Sequence, residues 1–175
     1  GLLKNSLINL DIPVLKNLYK AWQGSILDRV DYWNKFLSAS RDAFELQEED
    51  RQLGKALARL LVDLDLEEAK PFLKPPYGGF LTLYSLAAVR WDISLSDAAS
   101  GFLWMWAENK VLCAMKLIPL GQTDGQKILS TVIETISNEV AQGLDLQDDA
   151  IGYSAPGQGI ASALHETQYT RLFRS

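Results

Sequence analysis

The chain has 175 residues, 47% of them hydrophobic and 22% charged, which suits one globular domain and excludes wholesale disorder. Its net charge of −5, with Lys and Arg scattered rather than clustered, excludes nucleic acid as an expected partner. Cys113 is the single cysteine, so no internal disulfide forms, nothing points to secretion, and the cytoplasm is the expected compartment.

Helical periodicity recurs almost everywhere and strand alternation almost nowhere. The class is therefore all-α, with residues 1–175 expected to form a single, bundle-like domain of roughly seven to nine helices. The opening "GLLKNSLINL" reads like the middle of a helix whose beginning is absent, and we expect a fragment. It lacks the basic and apolar regions of a signal peptide.

Asp11 is placed to cap the next helix, with Pro13 in the first turn, and that helix runs to Trp22 and halts at Gly24. Ser25 or Asp28 starts another, which carries Val30, Trp33 and Phe36 or Leu37 on one face. A long helix follows from about Arg41. Its Leu46, Leu53, Leu57, Leu60 and Leu64 keep the spacing that suits packing along a neighbouring helix. Asp50 falls in the same row and needs a partner or an edge position. Gly54 costs about 1 kcal/mol against alanine in a helix interior, which close approach of another backbone would explain. Glu45, Glu48, Glu49 and Arg51 read as a solvated face, since neither cleft nor nucleophile accompanies the carboxylates.

"KPFLKPPYGGF", with three prolines and two glycines, is the clearest break and is expected to join two layers of one domain. Helices are expected beyond it over 80–91, 96–118 and 123 to about 142. The glycine-rich "GLDLQDDAIGYSAPGQG" is a second long loop, followed by a short helix over about 159–168. The most apolar stretch, "GFLWMWAENKVLCAMKLI", contains Glu108, Asn109, Lys110 and Lys116, so it is not an uninterrupted membrane span. Ser96 or Ser94 caps its helix, and Ala98, Ala99, Ser100 and Gly101 allow a second helix to come near. Residues 102–106 are bulky around most of the circumference and suit either a core or a homodimer face.

"PLGQTDGQKIL" invites a phosphate-loop reading, but Gly125 is followed by Gln126, Lys127 and Ile128, and no strand precedes it. Thr123 and Gln126 instead read as a Thr-x-x-Gln capping box, which leaves Gln122 and Gly125 unexplained. His165 is the only histidine. Alone it makes neither a metal site with Cys113 nor a catalytic triad. The alternative to a binding protein is a small helical enzyme using His165 and Glu166 as acid and base, with Arg171 holding an anion. The ending "TRLFRS" sets Leu172 and Phe173 between Arg171 and Arg174, an apolar pair with no evident use inside a lone domain.

Three segments, "RDAFELQEEDRQLGKAL", "ENKVLCAMKLIPLGQTDGQKIL" and "IASALHETQYTRLFRS", together resemble the UreF family of urease accessory proteins. The likeness runs over nearly the whole chain, and "DIPVL" fits it too. A Tyr-Ser-Gln-Gly-Leu-Glu-like motif usual at the family's beginning is missing. The usual Arg-Glu-Thr is here Arg41, Asp42 and Ala43, so a role for Glu could be carried only by the shorter Asp42.

The resemblance implies an all-α, non-catalytic, cytoplasmic scaffold that forms a homodimer. It implies that the protein joins UreD (also called UreH) to the GTPase UreG and the urease apoprotein, so that nickel is inserted into urease. No cofactor of its own is implied, nickel being handled by the assembly. The tail residues Arg171, Leu172, Phe173, Arg174 and Ser175, with His165 and Glu166 ahead of them, are the implied docking segment for UreD/UreH. The turn at Gly121, Gln122 and Gln126 is implied to join them.

Overall fold

The chain is helical throughout the described residues of this computed structural model, which are 3–41, 43–118 and 121–152. A π-helical stretch, Leu3–Asp11, runs directly into α1 (Ile12–Gln23). Then come α2 (Leu27–Ala39), α3 (Phe44–Asp63), a 3-10 segment (Glu67–Leu73), α4 (Phe80–Arg90), α5 (Leu95–Leu117), α6 (Gln122–Asp145) and a 3-10 turn (Asp148–Ala150). The final expected helix, over about 159–168, lies outside the described residues.

Two helices are buried nearly all round, α1 through Ile12, Val14, Leu15, Leu18 and Trp22, and α4 through Leu81, Leu83, Leu86 and Ala88. They pack on each other, with α2 and α3 to one side and α5 and α6 to the other. Full burial of each such large side chain is worth about 1.5–3 kcal/mol, so this pair is the main source of stability. The polar groups it carries inside are satisfied. Trp22 Nε1 donates to the Thr82 carbonyl at 2.9 Å, and the Ser85 hydroxyl donates to the same oxygen at 3.0 Å.

Short-range signals place most helix ends where the sequence suggests. Gly24 closes α1 with its N–H on the Lys20 carbonyl. Ser94 caps α5 by accepting from the Asp97 N–H at 3.1 Å, and Val30, Trp33 and Leu37 form the buried face of α2. Of residues 102–106, Phe102 and Leu103 are buried in the core, while Trp104, Met105 and Trp106 are partly exposed and pack against its edges. The Tyr84 hydroxyl reaches the Ala98 carbonyl at 2.8 Å, where the small residues of α5 let α4 approach.

Four expectations are corrected. Asp11 does not cap α1: its backbone is helical, because the π-helical stretch already precedes it, and its side chain points into a buried ion pair. Neither Ser25 nor Asp28 is the N-cap of α2, a position held by Ile26, while Ser25 takes a left-handed φ of 55° in the turn. Thr123 and Gln126 form no capping box, since α6 starts one residue earlier, at Gln122, with Gly121 as its N-cap. The leucine row of α3 is not its buried face. Gly54, Ala58 and Leu61 are buried instead, and Leu53, Leu60 and Leu64 are exposed.

The reason for that last reversal is steric. A Cβ on Gly54 would overlap the Gly78 carbonyl oxygen, so α3 lies backbone to backbone on the turn that leads into α4. Only the face carrying glycine and alanine permits such an approach.

Candidate partner-binding surface

The distal half of α5 and the first half of α6 form an antiparallel hairpin around a small cluster of Ala107, Val111 and Leu129. Gly125 is buried there. A Cβ at that position would stand 2.8 Å from Met115 Sδ and 3.3 Å from Val111 Cγ1, both side-chain atoms. Gly121, Gln122 and Gln126 all sit exposed at the tip, on the first turn of α6. Leu117 and Ile118 are also exposed at that end. The tip thus presents free side-chain amides beside aliphatic groups, a composition suited to a protein contact.

At the opposite end of α6 the chain is tied down. Lys16 Nζ donates to the Leu144 and Leu146 carbonyls at 2.9 and 2.6 Å, closing the C-terminus of the helix with a positive charge. Asn17 Nδ2 donates to Asp148 Oδ1 at 2.8 Å. Pro13 has no N–H to offer the Asn9 carbonyl in α-helical register, and the Gly152 N–H supplies that oxygen at 3.1 Å. The segment up to Gly152 is therefore anchored on α1 and the π-helical stretch. His165, Glu166, Arg171, Leu172, Phe173, Arg174 and Ser175 lie outside the described residues.

A cleft of about 460 Å³ opens between α2, α3 and the turn before α4, lined by Asn34, Phe44, Glu48, Asp50, Arg51 and Tyr77 among others. Its chemistry serves the start of α4. The stretch "PPYGG" offers no Ser, Thr, Asp or Asn to cap that helix, so the caps come from other elements. Asn34 Oδ1 accepts from the Gly79 N–H at 2.8 Å and from the Thr82 hydroxyl at 2.7 Å. Asp50 Oδ1 accepts from the Phe80 N–H at 3.1 Å, which supplies the partner its place in the leucine row demanded.

Burial pushes the Asp50 carboxyl above its ordinary range, against the pull of Arg41 and the Phe80 N–H. At the cleft rim the Arg51 guanidinium pairs with Glu48 and lies 5.0 Å from the centre of the Tyr77 ring. Hydrogen bonds from Arg51 and Gln52 hold the Glu48 carboxyl down at about 2. Among the described residues no group of three or more His, Cys, Asp or Glu is placed to hold a metal ion. No helix of those residues is long and apolar enough to cross a membrane.

Asp50 gives a prediction with a definite sign. Its raised pKa means that the folded state binds the proton more tightly than the unfolded state. Wild-type stability should fall as pH rises from the ordinary carboxylate value through the folded value. Asp50→Asn keeps an oxygen for the Phe80 N–H and removes the titration. Its stability relative to wild type should therefore rise with pH above the ordinary carboxylate value and level off once the folded-state value is passed. Urea midpoints measured across that range check this, and parallel curves would refute it.

Comparison with known proteins decides the family. A model described as UreF matches residues 1–133. The urease accessory protein UreF of Alkalilimnicola ehrlichii is 51% identical over 175 residues, covering all of this chain and 77% of that protein. The proteins of the same name from Teredinibacter turnerae and Hahella chejuensis are 47% and 43% identical, again over all of this chain and 79% and 78% of theirs.

The chain belongs to the UreF family.

In this UreF family member one pair of charged residues was not legible as a pair. Asp11 is 1% exposed and meets Arg41, whose Nη2 donates to Asp11 Oδ1 at 2.6 Å. Burial opposes the Arg41 charge, but the carboxylates of Asp11, Asp50 and Glu49 together raise the guanidinium above its ordinary value. The only sequence signal is that a charged residue sits between Leu10 and Ile12, both fully buried, where a solvated Asp has no room. Its partner is 30 residues away and carries no local mark.

Proposed function

We propose that this protein is a non-catalytic, cytoplasmic scaffold of urease maturation. It joins the GTPase UreG to UreD/UreH and the urease apoprotein, works as a homodimer, and helps deliver nickel as cargo of the assembly rather than as a resident cofactor. Family membership over nearly the whole chain is the observation that carries this reading. Two further features support it. The hairpin tip sets Gly121, Gln122 and Gln126 in solvent, and the anchoring of the chain up to Gly152 gives the docking segment a firm base.

In this reading the C-terminal residues Leu172 and Phe173 bury themselves in UreD/UreH while Arg171 and Arg174 meet acceptors around them. Deleting residues 171–175 should abolish co-purification with UreD/UreH and leave the helical circular dichroism and melting temperature unchanged. An unaltered pull-down would overturn the role of the tail. For a His165/Glu166 enzyme, His165→Ala would destroy turnover while leaving complex formation intact, which separates that reading from the scaffold.

A further inference from the structure

Asp50 lines the cleft between α2, α3 and the turn before α4, and only one of its carboxylate oxygens is engaged. Oδ1 accepts from the Phe80 N–H at 3.1 Å. Oδ2 has neither a hydrogen-bond donor nor an ion-pair partner among the described residues. It lies over Gly79, where any Cβ would collide with it. The other charges that line the cleft are paired, Lys35 with Asp31 at 2.6 Å and Arg51 with Glu48. One uncompensated carboxylate therefore faces a cleft of about 460 Å³. Burial raises its pKa because the pull of Arg41, itself paired with Asp11, does not offset the desolvation.

Two neutral acceptors share the same wall. Gln47 donates Nε2 to the Arg41 carbonyl at 3.1 Å, which leaves its Oε1 free. The Ser38 hydroxyl makes no hydrogen bond among the described residues. Phe44 also lines the cleft and is 70% exposed, so an apolar ring stands uncovered beside these polar groups.

We propose that this cleft receives the ammonium of a lysine side chain from a partner protein, with Asp50 Oδ2 as its counter-charge and Phe44 against its methylene stem. The cleft stands on its own observations, while the protein source of the lysine rests on the scaffold reading above.

The chemistry selects ammonium over guanidinium. An arginine fork binds a carboxylate best through two parallel bonds, which need both oxygens. Asp50 offers only Oδ2, because Oδ1 holds the start of α4. An ammonium is a compact charge with three donors, matched in number by one carboxylate oxygen and two neutral acceptors. A divalent cation asks for more charged ligands than this single carboxylate. The source follows from the size of the gain. A free amine would win one ion pair and lose its own translational freedom, whereas a lysine on a protein already docked loses little more. Such a side chain also lays an apolar stem along an exposed ring.

The test titrates the nitrogen-labelled protein with N-acetyl-lysine methylamide and, separately, with N-acetyl-arginine methylamide. The lysine probe should move the backbone amide signals of Gln47, Gly79 and Phe80 saturably, and bind about tenfold more tightly than the arginine probe. Asp50→Asn keeps an oxygen for the Phe80 N–H and should weaken binding by about tenfold or more, the loss of one charge-assisted bond. Phe44→Ala, at an exposed site, should also weaken it with unchanged helical circular dichroism. No saturable binding to wild type, equal affinity for the two probes, or undiminished binding by Asp50→Asn would each overturn the site. The source is read in the complex with UreG and UreD/UreH by carbodiimide coupling and mass spectrometry. Asp50 should join a lysine of another subunit, and a complex in which it joins none would overturn the protein source. A complex that fails to form would overturn the scaffold reading and the source together, while the probe titration still decides the site.

Discussion

Arg41→Met should destabilise the protein by about 3–5 kcal/mol, a large part of the 5–15 kcal/mol typical of a whole domain. The effect comes less from losing the guanidinium than from stranding Asp11. That carboxylate is 1% exposed, sits at the junction of the π-helical stretch and α1, and is ion-paired with Arg41. Methionine matches the length of the arginine stem but offers no donor, so a buried charge would remain uncompensated. The pair also joins distant parts of the chain, linking the first helix to the turn between α2 and α3. Chemical unfolding should show the drop at neutral pH. Asp11→Asn combined with Arg41→Met should recover part of it, because the second change removes the stranded charge. Equal losses in the single and double variants would show that packing of the arginine stem, not the charge, dominates.

Gly54→Ala should cost about 2 kcal/mol or more, although helix propensity alone favours alanine by about 1 kcal/mol. The new Cβ would overlap the carbonyl oxygen of Gly78 and stand 2.8 Å from the carbonyl carbon of Gly79. Both are backbone atoms of the turn leading into α4, and neither can move by a change of rotamer. Pushing that turn away would also stretch the bonds from Asn34 to Gly79 and from Asp50 to Phe80, which cap the central helix. Gly125→Ala is the matched control. There the nearest atom is Met115 Sδ, toward the end of a flexible side chain, so the cost should stay within about 0.5 kcal/mol. Thermal melts of the two variants should therefore separate clearly. Similar shifts would mean that α3 does not press on the turn.

These variants mark the division between what was legible locally and what was not. The all-α class, the end of α1 at Gly24, the Ser94 cap and the buried face of α2 follow from periodicity and capping, which act over a few residues. The close approach at Gly54 was also legible, because an uncompensated glycine in a helix interior asks for a steric reason. Gly125 gave the same signal in the hairpin, but the nearest atoms there belong to the side chains of Met115 and Val111.

The sequence by itself determined the helices and, through its three motif segments, the UreF family. The tertiary structure decided which apolar face of α3 is buried, and turned Asp11 from a cap into half of an ion pair with Arg41. It also assigned the capping of α4 to Asn34 and Asp50, residues from two other helices. The physical reason is common to all three. Two faces of α3 are apolar enough to be buried, and hydrophobic periodicity ranks the leucine row first. Contact distance ranks the glycine and alanine face first, because only there can one backbone lie on another. Ion pairs and caps between distant residues depend on that approach, and they exist only once the helices have met.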